Sequence, residues 1–492
     1  MKTLTYKNIE YSEIFYSELG QGMRFDAEYW EASYLRNEAI VKSKKYSQVK
    51  EIASNPQYGI SIEMNEAGIG YSILKMDNIM GMLAEDKDAK FANIPEKIFQ
   101  QFQLKKFDVL FNRVNSDEFV GRTGIYLLDG KHTFASYLVK VDSGIDYTNC
   151  YLTAYLNCKY GKMALQRVKR RAVNQANINA KELSDLNIPL PSEILQKEIQ
   201  TLIVEAQNRK VISKHLYEKA EQILFTGLAL ENWKPKTISF KHYGVKFEVD
   251  NSITNKMFSE VIKNYRFNAE YWEPQYDEII AAFDKFPRYK LSDLVCYPIA
   301  SGATPKAGGN DYTDIENGYP FLRAVDLVDG RVNTSDLLYI KSNIHGEMLK
   351  RTQIFKNDVL LSIAGTVGRS AIFNHDFEAN INQALCILRL PNENIVKRLY
   401  LIVFFNSLIG NKYLSKTARQ GLQTNLNLKE VGSLEIPILD MKVQNKIAST
   451  VLKSFQTSDK SKFNLEIAKR AVEIFIEQNE GEALKYIQEN VE

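Results

Sequence analysis

Residues 151–181 read "YLTAYLNCKYGKMALQRVKRRAVNQANINAK" and hold seven Lys or Arg but no Asp or Glu. With 60 acids in 492 residues, a stretch of 31 should hold about four. Residues 400–429, "YLIVFFNSLIGNKYLSKTARQGLQTNLNLK", are also free of acids and carry four Lys or Arg. A basic, acid-free segment suits contact with phosphates, because each cation neutralises one phosphate and releases counterions. Asn and Gln beside it can donate and accept at base edges, adenine above all. A solvated basic helix face is the plainer alternative. The pattern recurs, however, and each copy runs into the same "NxNxKE" element, which favours nucleic-acid contact.

Two loops add to this. "FNRVNSDEFVGR" (111–122) and "SIAGTVGR" (362–369) each follow a run that reads as a strand. Glycines in such turns let the backbone approach a phosphate, and Arg122 and Arg369 are placed to clamp it. Asn112, Arg113, Asn115 and Ser116 in the first loop differ from Ser362, Ala364 and Thr366 in the second. A shared frame with different polar tips fits two readers of different sequences; loop drift is the alternative.

Catalytic patterns are sparse. The five histidines (His132, His215, His242, His345, His375) form no HExxH, and there is no GxSxG elbow or Walker loop. "ELGQG" (18–22) and "NPQY" (55–58) resemble two pieces of a DNA adenine methyltransferase, a Gly-rich cofactor turn and the loop that receives an extruded adenine. The loop's second proline is missing, no clean apolar strand precedes the glycines, and neither piece has a good counterpart later in the chain. "SGATPKAGG" (301–309) lacks the order of a phosphate loop. A self-contained DNA adenine methyltransferase is thus the enzymatic alternative, and a structural adaptor without DNA readout the other.

The totals bound the rest. A chain of 492 residues is too long for one ordinary core, so two or more domains are expected. Net charge is only +3, so a nucleic-acid surface must be a local patch. Cys150, Cys158, Cys296 and Cys386 form no CxxC pair, which argues against a zinc site or disulfide framework and fits a reducing cytoplasm. No apolar run approaches 18 residues and the N-terminus lacks a signal-peptide core, so a cytoplasmic protein without a membrane span is expected.

The elements that position these segments come in duplicate. "RFDAEYW" (24–30) returns as "RFNAEYW" (266–272), "KTLTYK" (2–7) as "KTISFK" (236–241), and "VGRTGIY" (120–126) as "VGRSAIF" (367–373). "NINAKELSDLNIPLP" (177–191) returns as "NLNLKEVGSLEIPIL" (425–439). The order is kept with only short insertions, which implies a tandem duplication, residues 1–235 and 236–492. The period far exceeds that of a solenoid, so each copy is domain-sized. Each half reads as a compact α+β domain of short β-branched and aromatic strands. Tyr29, Trp30, Tyr271 and Trp272 are expected to anchor the start of each half against its domain or a helix.

Each half then closes with a helical pattern. Ile199, Leu202, Ile203 and Ala206 recur at i, i+3, i+4, i+7, and Ile212, Leu216, Ala220 and Ile223 continue the stripe toward a stop at Gly227. Ile447, Val451, Phe455, Leu465, Ala468, Val472 and Phe475 form the second stripe, with polar "TSDKSK" (457–462) expected to loosen its middle. A helix over 193–226 would be about 50 Å long. Two such helices bury their stripes most economically on each other, as an antiparallel pair; two separate helices, each packed on its own domain, are the alternative. The domain plan is 1–191, a first helix 192–231, 232–437, and a second helix with tail 438–492.

With these motifs assembled, the chain resembles the specificity subunits of Type I restriction–modification systems. The likeness rests on the twin "RF[DN]AEYW", on "YGIS" with "ILKMDNI" (58–61, 73–79) and on "FNRVNSDEFVGRTGIY" (111–126). In the second half it rests on "SGATPK" (301–306), "SIAGTVGRSAIF" with "NQALCILR" (362–373, 382–389), and on the "N[IL]N…IP" elements. The resemblance implies two target-recognition domains separated by two long helices packed as an antiparallel coiled coil, each domain reading half of a bipartite double-stranded DNA target. It implies no catalysis and no cofactor in this chain. S-adenosylmethionine would sit in two partner modification subunits, through which restriction subunits join. Carried over, Tyr58, Gly59, Ser61, Lys75 and Asn78 would face DNA in the first domain, with Asn112, Arg113, Asn115, Ser116, Arg122, Lys169, Arg170, Arg171 and Gln175. In the second domain the candidates are Ser301, Thr304, Lys306, Arg323, Thr366, Arg369, Arg419, Gln420, Gln423 and Asn425. The lead-ins before each "RF[DN]AEYW" depart from the simplest family pattern.

Overall fold

The computed structural model describes residues 2–6, 9–13, 24–172, 175–234, 238–242, 245–249, 274–306, 309–418 and 424–491. It divides into two units, Met1–Ile212 with Gln456–Glu492, and Ser213–Phe455. The architecture is mixed helix and sheet with two long helices.

The first unit is built on a six-stranded sheet in the order Gln57–Tyr58, Leu138–Val141, Val109–Asn112, Thr123–Ile125, Leu83–Ala84, Ile79–Met80. Every pairing is antiparallel except Ile125 against Leu83. Val109–Asn112 is buried along its length, so it reads as an apolar run rather than an alternating one. Successive side chains still point to opposite faces. Val109 and Phe111 join Tyr151 and Tyr155 of helix Asp146–Asn157 in one core, while Leu110 packs with Leu74, Tyr126 and Phe134 in another.

The second unit has a six-stranded sheet of the same order: Ala300–Ser301, Leu385–Leu388, Val359–Ser362, Ser370–Ile372, Arg331–Val332, Leu327–Val328. The one parallel pairing, Arg331 with Ile372, falls at the same place. Val359 and Leu361 pack with Tyr400 and Phe404, and Leu360 with Leu322, Phe373 and Ile381. Each lead-in holds a hairpin, Lys2–Tyr6 with Ile9–Glu13 and Ile238–His242 with Val245–Val249.

The long helices are Glu193–Gly227 and Met441–Glu477. Ile199, Leu202, Ile203 and Ala206 are buried as the stripe predicts, but Ile212 is 52% exposed. Polar contacts replace the stripe there. Ser213 Oγ donates to the Ser454 carbonyl at 2.8 Å and Ser454 Oγ to the Ser213 carbonyl at 2.7 Å. The "TSDKSK" stretch does not loosen the second helix, which runs unbroken through it. Buried Ser461 donates to the Ala206 carbonyl at 2.6 Å. The first helix ends at Gly227, as expected. The chain leaves the helix through Ala229 at φ 56°, with the Leu230 N–H on the Phe225 carbonyl at 2.8 Å. Gly227 also lies against Leu439, whose Cδ1 would be 2.7 Å from an added Cβ. Beyond Glu477, Asn479 caps a further helix, Glu480–Asn490, whose Ala483 and Ile487 complete the first unit's core.

Among the described residues no helix is long and apolar enough to cross a membrane, and no group of three His, Cys, Asp or Glu could hold a metal. The four cysteines are free.

Candidate nucleic-acid interface

The central strand of each sheet ends in a polar residue that closes the loop after it. Asn112 is fully buried; its N–H donates to the Arg122 carbonyl and its carbonyl accepts from the Gly121 N–H, both at 2.8 Å. Ser362 does the same with Arg369 at 2.8 Å and Gly368 at 3.0 Å. Gly121 and Gly368 sit at φ 90° and 97°, backbone that side chains disfavour. Ser362 Oγ also accepts from the Arg369 N–H at 2.8 Å and donates to the Thr366 carbonyl.

Each loop then pairs with the end of the acid-free segment. In the first unit Val114–Asn115 lies against Gln175–Asn177, which in turn pairs with Arg170–Ala172. This small sheet brings Asn115, Ser116, Arg170, Arg171 and Gln175 together. In the second unit Ala364 bridges Asn425, and the Gly365 N–H donates to the Thr424 carbonyl at 3.2 Å. Thr366, Arg369 and Asn425 are exposed there.

The corner before this segment depends on glycine. Helix Asp146–Asn157 turns at Cys158 into Lys159–Val168, and a Cβ on Gly161 would sit 2.0 Å from the Tyr155 carbonyl oxygen. Gly410 is under the same constraint at the corner between Arg398–Asn406 and Leu408–Thr417, 1.8 Å from the Phe404 oxygen. The "NxNxKE" elements are capping boxes. Asn179 accepts from the Glu182 N–H, Asn427 from that of Glu430, and each glutamate reaches back.

The acid-free segment is not an open basic face, because acids outside it pair with its cations. Lys159 pairs with Glu477 and Arg167 with Glu38. Lys169 pairs with Asp117 at 2.8 Å, Arg170 with Glu182 at 2.6 Å, and Arg171 with Glu28 at 2.8 Å and Asp117 at 2.9 Å. Hydrogen bonds from Lys169 and then Arg171 hold the Asp117 carboxyl below its usual range. Lys169 is itself buried, whereas Arg170 and Arg171 are more than half exposed.

The other candidates divide into rim and interior. The Arg113 guanidinium lies over the exposed Tyr58 ring at 5.0 Å, and the Tyr58 hydroxyl accepts from the Ala180 N–H at 3.3 Å. Arg122 stacks on Phe119 at 3.8 Å. Ser61, Thr304 and Lys306 are exposed; Lys75 and Ser301 are half-buried. Gly59 passes so close to Ala135 that a Cβ would be 2.4 Å from its carbonyl oxygen. Asn78 is interior rather than DNA-facing: its Oδ1 accepts from the Lys75 N–H at 2.8 Å and its amide donates to the Lys87 carbonyl at 2.9 Å. Asn112 and Lys169 are likewise interior, for the reasons above. Arg323 is committed to Asp326 at 3.1 Å and to the Asp336 carbonyl at 2.9 Å. Arg419, Gln420, Gln423, Tyr271 and Trp272 lie outside the described residues, as does "GQG". "NPQY" leads into an edge strand, with Tyr58 opposite Val139.

The residues that sequence reasoning left out of the site are the acids of "RFDAEYW". Arg24 holds Asp26 at 2.6 Å and Glu182 at 3.6 Å, and Glu28 holds Arg171. Tyr29 and Trp30 take up Arg167, and Trp30 Nε1 donates to the Arg24 carbonyl at 2.7 Å. The available signal was charge balance: a segment with seven cations and no acids needs counterions from elsewhere.

Residues 284–467 match the family model for the Type I restriction modification DNA specificity domain. The chain is 22% identical over 306 residues to the Type I restriction enzyme EcoBI specificity subunit of Escherichia coli, covering 61% of this chain and 58% of that one. It is 24% identical over 153 residues to the EcoKI specificity subunit of Escherichia coli K12, covering 30% and 33%. The matches thus span less than two thirds of either relative. Among solved structures, the S subunit of the M. genitalium Type-I restriction-modification system aligns with a TM-score of 0.38 at 12% identity, covering 90% of this chain and 95% of that one. The HsdS subunit from Thermoanaerobacter tengcongensis aligns at 0.28 and 13%, covering 91% and 97%. By sequence the chain is similar to the specificity subunits of Type I restriction–modification systems, and its residues 284–467 match the model of their DNA specificity domain.

Proposed function

We propose that this chain is the non-catalytic DNA sequence-recognition subunit of a Type I restriction–modification complex. Two homologous domains each read one half of a bipartite double-stranded target. The observation that carries this reading is the repeated construction, a strand-end loop paired with an amide-rich basic segment and bearing different side chains in the two units. Asn115, Ser116, Gln175 and the Tyr58–Arg113 stack are the base-facing candidates of the first domain. Arg122, Arg170 and Arg171 serve its phosphates, with Ser61 and Lys75 at its rim. Thr366, Arg369 and Asn425, with Ser301, Thr304 and Lys306, serve the second.

The two long helices act as an antiparallel spacer. Ser213 with Ser454 in one unit, and Ala206 with Ser461 in the other, support that direction, since one number rises as the other falls. Half-sites on one face of a duplex recur about every 34–36 Å, and a helix near 50 Å is of that order. In this reading two modification subunits supply S-adenosylmethionine and the methyl transfer, restriction subunits join through them, and the complex works in the cytoplasm.

The test is to map methylated bases in a host genome with and without the chain. A two-part motif that vanishes with the chain is the expected result. Methyl transfer from labelled S-adenosylmethionine by the purified chain alone would overturn the non-catalytic assignment.

A further inference from the structure

Arg171 is held by two carboxylates at once. Its Nε donates to Asp117 Oδ1 at 2.9 Å, and its Nη1 donates to both oxygens of Glu28 at 2.8 Å. Asp117 also holds buried Lys169. The side chains of Arg171, Asp117 and Glu28 are 54%, 54% and 67% exposed and come from three separate segments. Exposed pairs of this kind add little to stability. Lys169 explains one carboxylate; Glu28 is surplus to it. Both acids stand beside the strand pair that carries Asn115 and Gln175, where phosphates would be repelled. The matching loop of the second unit, "AGTVG" (364–368), contains no acid.

We propose that Asp117 and Glu28 form an acidic latch that withholds Arg171 from the phosphates of non-matching DNA and so holds down the sequence-independent affinity of the first unit. The inference rests on the DNA-reading function proposed above. A phosphate can take Arg171 only by displacing charge-assisted hydrogen bonds and approaching two carboxylates. A matching half-site offsets that cost through base contacts on the same small sheet. A random duplex has nothing to offset it. Because Lys169 and Arg171 hold Asp117 ionised, the latch stays closed at neutral pH.

The experiment compares the full-length chain with Glu28→Gln and Asp117→Asn variants. Each is titrated with a random-sequence duplex and with a duplex carrying the motif mapped by methylation, over a series of salt concentrations. Glu28→Gln leaves the Lys169–Asp117 pair in place, so it reports on the latch without disturbing a buried charge. Both variants are expected to bind the random duplex about fivefold more tightly, with a salt slope steeper by about 0.9, the value of one further phosphate contact. The matching duplex should also bind more tightly, by at least as large a factor, because in wild type it opens the latch at the expense of its own contacts. Unchanged or weaker random-duplex binding by Glu28→Gln overturns the latch while leaving DNA reading intact. A wild-type chain that does not prefer the mapped duplex over the random one removes the DNA-reading function and the latch with it.

Discussion

The guanidinium of Arg167 lies 4.3 Å from the centre of the Tyr29 ring, and its Nε donates to the Tyr29 carbonyl at 3.0 Å. The residues are 138 positions apart. One side chain therefore ties the "RFDAEYW" motif to the helix that leads into the basic segment. The motif's role is to hold that segment in place.

Arg167→Ala should destabilise the first unit by about 2–3 kcal/mol, since it removes a stacked cation and leaves Glu38 facing a site with one partner fewer. Burial pushes the Glu38 carboxyl up, but the hydrogen bond from Lys42 and the attraction of Arg167 outweigh it and keep the group below its usual range. Denaturant unfolding of Arg167→Ala and Arg167→Lys checks this, with the lysine variant expected between alanine and wild type. An Arg167→Ala midpoint equal to wild type would show that the stack contributes nothing.

Gly161→Ala and Gly410→Ala should each cost on the order of 3–5 kcal/mol, because a Cβ would overlap a backbone carbonyl that cannot move aside. Both substitutions improve helix propensity by about 1 kcal/mol, so a purely local view predicts the opposite sign. Soluble yield and thermal unfolding of the two variants decide between them.

Glu221, on the first long helix, has a carboxyl pushed up to about 7 by burial and then by Glu218. The unfolded chain releases this proton near 4.5 and the folded chain near 7. The folded state therefore binds more protons in that window, and this group's stabilising effect, complete below pH about 4.5, is lost as pH rises to about 7. Glu221→Gln should stabilise the second unit at pH 8 by about 2 kcal/mol, after discounting for partial exposure, and change little at pH 4. Unfolding midpoints at the two pH values give the comparison; equal shifts at both would contradict it.

Arg170→Ala should weaken binding to all duplexes alike and flatten the salt slope by about one unit. Replacing Asn115 and Ser116 together should instead change which half-site is methylated, with the other half-site and the spacing unaltered. Methylation mapping of the variants separates these outcomes. A unit-wide loss of methylation from the Asn115/Ser116 change would assign those residues to folding.

Much of the strand pattern was legible because sheet order repeats with the sequence. The runs leading into the loops "FNRVNSDEFVGR" and "SIAGTVGR" became the central strands Val109–Asn112 and Val359–Ser362, since both faces of each are buried, leaving unbroken apolar runs. The "NxNxKE" boxes were legible because a cap is local. The ion pairs were not. Glu28 and Arg171 are 143 residues apart, and no window spans both, so the acid-free segment looked like an open cationic face. The interior placement of Asn78 and Asn112 was hidden for a related reason. An amide that closes a turn has the same composition as one that waits for a base. Ile212 failed as a stripe residue because the helix packs there through Ser213, and hydrophobic periodicity carries no mark of a serine contact.

The first unit is discontinuous in sequence, and this sets an order of completion. Its core includes Ile467, Val472, Phe475, Ala483 and Ile487, all encoded after the whole of the second unit. As the chain emerges from the ribosome, the second unit has every residue of its core once Phe455 is out. The first unit, though begun earlier, waits for Gln456–Glu492 to close. The half that is made first is thus the half that matures last. A chain cut just after Phe455 would have every core residue of its later-made unit, while its earlier-made unit would still expose apolar surface.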